Sequence, residues 1–190
     1  MKKKEWVYRE LLYRHLERKE RFFSQLSIGR ACGVSQGMVN KALEPLERMN
    51  AIEKKSQGFA VVNAKKALLY WASIRNLERD IVFRTRAEKP VAEIEKEMPK
   101  VMFTAYSAYK FRSGTAPSDY SEVVVYGDGE TVRERFGSHS GVPNIIVLKP
   151  DPHLARFEAA PLVQVFADLW NLDKWYAEDF IRPLERRLGI

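Results

Sequence analysis

Cysteine is almost missing from this chain. Cys32 is the only one in 190 residues, so an internal disulfide and a thiolate metal cluster are both excluded. Long apolar runs are missing too. No stretch approaches the ~18 uncharged apolar residues that a membrane-spanning helix needs. The opening Met1-Lys2-Lys3-Lys4-Glu5 lacks the apolar run of a secretory signal. There is no Gly-rich phosphate loop and no Cys/His pattern at metal-ligand spacing. Only three histidines occur, and His15, His139 and His153 are scattered along the chain. These absences lead to the expectation of a cytoplasmic, metal-free protein with no cofactor.

What is present is a globular composition, 45% hydrophobic and 30% charged, with an uneven charge. Residues 1–87 carry 19 basic and 9 acidic residues, a net +10; residues 88–190 carry 13 and 16, a net −3. A basic half joined to a mildly acidic one suggests a polyanion reader attached to a second part.

The basic half opens on an amphipathic pattern from Lys4 to Glu20, in which Trp6, Val7, Leu11, Leu12 and Leu16 supply the apolar face. Ser24 or Ser27 is available to cap the next helix. That helix ends at Cys32, where Gly33 can adopt the positive φ of a tight turn. Val34 fills the corner, and Ser35 caps a second helix. Met38 or Val39, with Ala42, Leu43 and Leu46, faces inward; Gln36, Gly37, Asn40, Lys41 and Glu44 face outward. Gly29 is the small residue where the two helices cross. Pro45 interrupts the second helix and is expected to kink or tighten it. Asn50 then suits a left-handed helix stop, and Ser56-Gln57-Gly58 a turn between two short strands.

On these residues, 5–63 resemble a winged helix-turn-helix DNA-binding domain. The resemblance implies that the helix from Ser35 enters the major groove, with Gln36, Gly37, Asn40 and Lys41 at base edges or phosphates. Arg30 and the wing residues Lys54, Lys55 and Gln57 would hold the backbone. The expected partner is double-stranded DNA.

Residues 64–87 read as a connector. The stripe Ala67, Tyr70 or Trp71, Ile74, Leu77 and Ile81 predicts one long helix from Ala64 to Arg86, either packed between the two parts or forming a dimer. Beyond Pro90 the pattern predicts helices to about Met98, over Val101–Phe111, over Ala160–Asn171 and over Lys174–Leu188. Strands are expected at Ser121–Tyr126, Thr131–Phe136 and Asn144–Leu148. The fold class is therefore α+β: residues 1–63 a winged helix, 64–87 a connector helix, and 88–190 a small α/β domain.

In the last part, Val101-Met102-Phe103-Thr104-Ala105-Tyr106, a Val-rich strand and Ala160-Pro161-Leu162-Val163-Gln164-Val165-Phe166-Ala167-Asp168-Leu169 occur in order. With the winged helix ahead of them, they resemble the AbiE-type antitoxins, regulators of abortive infection. That likeness implies an autorepressor whose C-terminal domain binds a cognate toxin, itself or an effector, on a nucleotidyltransferase-like fold. Nucleotidyl transfer itself needs paired acids on a strand to hold Mg²⁺. Asp128 and Glu130 flank Gly129 at a turn, and Asp151 follows Gly137-Ser138 without the required helix, so no catalytic residues are assigned. A divergent nucleotidyltransferase using Asp128, Glu130 or Asp151 is the alternative, and a winged-helix adaptor between proteins the third. Trp170, Trp175, Tyr176 and Phe180 read as core or a seam, with any exposed share marking a partner surface.

Overall fold

Helix α1 (Lys3–Leu12) runs on through one π-helical turn, Tyr13–Glu17. In the computed structural model, which describes residues 1–190, it is buried on nearly every side, Val7, Tyr8, Arg9, Leu11 and Leu12 all being at or below 1% exposure. One flank meets α2 (Gln25–Cys32) and α3 (Gln36–Arg48), and the other meets α4 (Ala64–Ile74) and α8 (Leu162–Leu169).

The helix pair α2–α3 forms for the reasons visible in the sequence. Ser24 caps α2 by accepting from the Ser27 amide, and Ser35 caps α3 by accepting from the Met38 amide. Gly33 takes φ 62° at the turn. At Gly29 a Cβ would sit 2.9 Å from the Val34 carbonyl oxygen, so only glycine lets the helices approach this closely. Val39, not Met38, is the fully buried inward residue, with Ala42, Leu43 and Leu46. Pro45 lies inside α3, which runs as one helical element through to Arg48. Asn50, at φ 54°, turns the chain after it.

A three-stranded antiparallel sheet completes this half in the order β1 (Phe22–Phe23), β3 (Gly58–Val61), β2 (Ile52–Lys55). Ser56 and Gln57 make the β2–β3 turn.

The expected long connector helix is not formed. Helix α4 stops at Ile74, a 3₁₀ turn covers Leu77–Asp80, and Ile81–Thr85 is strand β4. Asn76, extended and accepting from the Arg79 amide, starts the new turn. The run Ile81-Val82-Phe83 then favours strand, as branched and aromatic residues do.

Strand β4 edges a second sheet of order β4–β7–β6–β5, with β5 at Met102–Phe103, β6 at Val123–Tyr126 and β7 at Ile145–Leu148. Only β6 and β7 run parallel. The helix expected over Val101–Phe111 is instead strand β5 followed by α6 (Ala105–Ser113). The strand expected over Thr131–Phe136 is helix α7 (Gly129–Phe136): Val132 and Phe136, four apart, are its buried face. Those two residues and Ile94 of α5 (Val91–Glu97) cover one sheet face at Phe83, Val123, Val125, Ile145 and Val147. The opposite face, at Val124, Tyr126 and Leu148, joins α6, α8 and α9 (Ala177–Leu188) in the main core. That core is continuous from Val7 to Leu188 and includes α1, α3 and α4.

Candidate nucleic-acid interface

Helix α3 offers solvent one continuous stripe. Gly37, Lys41, Glu44 and Arg48 recur at three- and four-residue spacing and are all exposed. Ser35 and Gln36 are exposed ahead of them at the helix start. Across a shallow groove lie Lys54, Lys55, Ser56 and Gln57 of the β2–β3 hairpin, and Gln36, Ser24, Gln25 and Leu26 line its other side. Lys54 pairs with Glu47 at 2.6 Å and Lys55 with Glu53 at 2.5 Å. All four side chains are largely exposed, so these pairs are weak and can be exchanged for a phosphate.

The structure thus gathers Gln36, Lys54, Lys55 and Gln57 around one groove and sets Gly37 and Lys41 on the adjoining stripe. Arg30 is exposed but does not line the groove. Asn40 is only half-exposed, and its side-chain oxygen accepts from Gln25 at 3.3 Å. Any base contact by Asn40 has to break or share that bond. Cys32 is buried beneath, and burial, with Glu10 nearby, pushes its thiol up to about 12. It is therefore a packing residue without nucleophilic character at neutral pH.

The carboxylates considered for catalysis have other work. Asp128 caps α7, accepting from the amide and hydroxyl of Thr131. Glu130 pairs with Arg133 on the same helix. Asp151 is buried and takes two bonds from Arg9, at 3.0 and 2.6 Å. No three His, Cys, Asp or Glu side chains are grouped to hold a metal ion, and no helix is long and apolar enough to cross a membrane.

Arg9 belongs to a buried polar layer that the composition did not suggest. Its Nε donates to Gln164 at 2.7 Å and its Nη1 to Nδ1 of His153 at 3.1 Å. That leaves Nε2 of His153 as the protonated nitrogen, which donates to Glu10 at 2.9 Å. A second centre is Asp168, fully buried, which accepts from Thr104 and Tyr126 at 2.7 Å, Gln164 at 2.9 Å and Arg75 at 3.2 Å. Arg75 also pairs with Asp80. Burial opposes the Arg75 charge, but Asp168, Tyr126 and Asp80 outweigh it and hold the guanidinium protonated. Gln164 joins the two centres. The signal for this layer was present: Gln164 and Asp168 stand four apart in the otherwise apolar helix α8.

Comparison with family models, with curated proteins and with solved structures gives no match.

Proposed function

We propose that this chain is a sequence-specific DNA-binding transcriptional regulator whose N-terminal part acts as a winged helix-turn-helix. The observation that carries it is the groove between the start of α3 and the basic β2–β3 hairpin. The order helix, strand, helix, helix, strand, strand around a three-stranded antiparallel sheet supports the same reading. In it, α3 lies in the major groove with Gln36 and Lys41 foremost, and Lys54, Lys55 and Gln57 follow the backbone. Glu44, on the same stripe, repels phosphate and favours a base-edge or solvent position.

The C-terminal part is read as a non-catalytic interaction domain, and the AbiE-type order of motifs makes an antitoxin-like autorepressor the specific form of the proposal. Its place of action is the cytoplasm, where its DNA is.

The test is a gel shift against the DNA upstream of the gene itself at two salt concentrations. Binding that weakens with salt is expected. Lys41→Ala and Lys54→Ala should each weaken it and reduce the salt slope by about 1, with the thermal transition unchanged because both side chains are exposed. Salt-insensitive or absent binding overturns the proposal.

A further inference from the structure

Helix α2 buries Ile28, Gly29 and Cys32. Leu26, two residues ahead of Ile28, points to the opposite side of the helix, 45% exposed and outside the hydrophobic core. Single exposed leucines are ordinary on a protein surface, but this one stands inside the candidate interface. It is the one hydrophobic side chain lining the groove between α3 and the β2–β3 hairpin, a lining it shares with Gln36, Lys54, Lys55 and Gln57. Gly58, at the base of the hairpin, keeps that groove in place. A Cβ there would meet the Phe23 carbonyl oxygen and the Phe22 ring, so glycine lets the hairpin lie against β1, just ahead of α2.

The groups around Leu26 decide what can cover it. Lys54, Lys55 and the side-chain amides of Gln36 and Gln57 suit a polyanion that also carries hydrogen-bonding edges. Only an apolar group borne on such a surface can rest on the leucine. The base edges of the major groove of DNA offer one, the C5 methyl of thymine; the other groups by which they are read are hydrogen-bond donors and acceptors. Gln36 stands in the same lining, and a glutamine reads adenine through N6 and N7. The amide and the leucine together match what A·T pairs present.

We infer that Leu26 is a specificity-determining residue of the DNA site, resting on a thymine methyl beside the base that Gln36 reads. This rests on the DNA-binding proposal above and adds to it what the site selects, A·T pairs recognised through the thymine methyl. It also assigns part of that selection to α2 rather than to α3 and the hairpin alone.

The experiment uses the full chain and the DNA upstream of the gene itself. Each thymine of the protected segment is replaced in turn by deoxyuridine, which keeps the base pair and removes only the methyl. Replacement at one position in each bound site is expected to weaken the parent about four-fold, the worth of one buried methyl group. Leu26→Ala should bind the unmodified DNA at least about four-fold more weakly, with the parent's melting curve, and should lose nothing further to that deoxyuridine. Lys54→Ala, weakened through a phosphate contact, should keep the full deoxyuridine effect. Three results overturn the inference and leave the DNA reading standing: a parent indifferent to every deoxyuridine, a Leu26→Ala chain of parental affinity, or the same deoxyuridine losses in Leu26→Ala as in the parent. A parent without salt-sensitive binding overturns both.

Discussion

At the scale of single residues, the chain buries an arginine completely and surrounds it with polar partners. Arg9 is 0% exposed and makes four polar contacts to Gln164, Asp151 and His153. Burial alone would raise the Asp151 carboxyl, but the Arg9 bonds and the Leu154 amide hold it below the ordinary value of about 3.9. A carboxyl depressed in the folded state adds stability that is complete above its unfolded pKa and is lost as pH falls through its folded one. Arg9→Met removes the partner and leaves a buried carboxylate uncompensated, a change worth about 3–5 kcal/mol. Urea denaturation at pH 7 is expected to show that loss. The gap between parent and variant should narrow as pH falls, because the uncompensated Asp151 of the folded variant takes up a proton before the Arg9-paired carboxylate of the folded parent does. A variant as stable as the parent at pH 7 would show that water, not Arg9, satisfies Asp151.

At the scale of elements, the contrast between what the sequence discloses and what it hides is clearest across residues 24–85. Local devices are legible: Ser24 and Ser35 cap, Gly33 turns with positive φ, and Asn50 stops α3, because each acts through its own backbone. Beyond Ile74 the apolar stripe of Leu77 and Ile81 still fits a helix, yet the chain becomes a 3₁₀ turn and a strand. There the deciding partners are remote: Arg75 is drawn to Asp168, and β4 pairs with β7 sixty residues onward in the chain. Helix α7 hides from the sequence for the converse reason. A Gly-Asp-Gly sequence resembles a hairpin turn, but Asp128 caps a helix and Val132 and Phe136 follow its period. Of the candidate interface, Gln36, Lys41, Lys54, Lys55 and Gln57 are legible as outward-facing, whereas the Gln25 bond that holds Asn40 depends on how α2 crosses α3. The caps themselves are testable. Ser35→Ala should cost about 1 kcal/mol and Ser35→Gly only a few tenths, read as shifts in the thermal midpoint. A Ser35→Ala chain as stable as the parent would mean that the hydroxyl does not cap α3.

At the scale of the whole molecule, a change of charge sign near residue 87 suggests separable parts, but the packing joins them. Helix α1 turns one flank to α2 and α3 and the other to α4 and α8, and a single core runs through all of them. Three charged side chains of α1 are satisfied outside residues 1–63: Arg9 by Asp151, Glu10 by His153, and Glu5 by the Trp71 indole. The end of the same segment reaches further, since the Glu17 carboxylate accepts from the Val163 amide at 3.2 Å and so caps α8, whose own N-cap, Pro161, offers no side-chain bond. Burial, opposed by the Leu162 and Val163 amides, nevertheless leaves Glu17 with a raised pKa, so its folded-state contribution falls as pH rises. A fragment of residues 1–63 would therefore expose the apolar flank of α1 to water and strip three buried charges of their partners, penalties of several kcal/mol against the 5–15 kcal/mol that stabilises a typical domain. Such a fragment should lack a cooperative thermal transition, while residues 1–190 should unfold in one step by both far-ultraviolet circular dichroism and tryptophan fluorescence. A fragment of residues 1–63 that melts cooperatively, with dispersed amide resonances, would show instead that the seam through Arg9 and Arg75 joins two units able to fold alone.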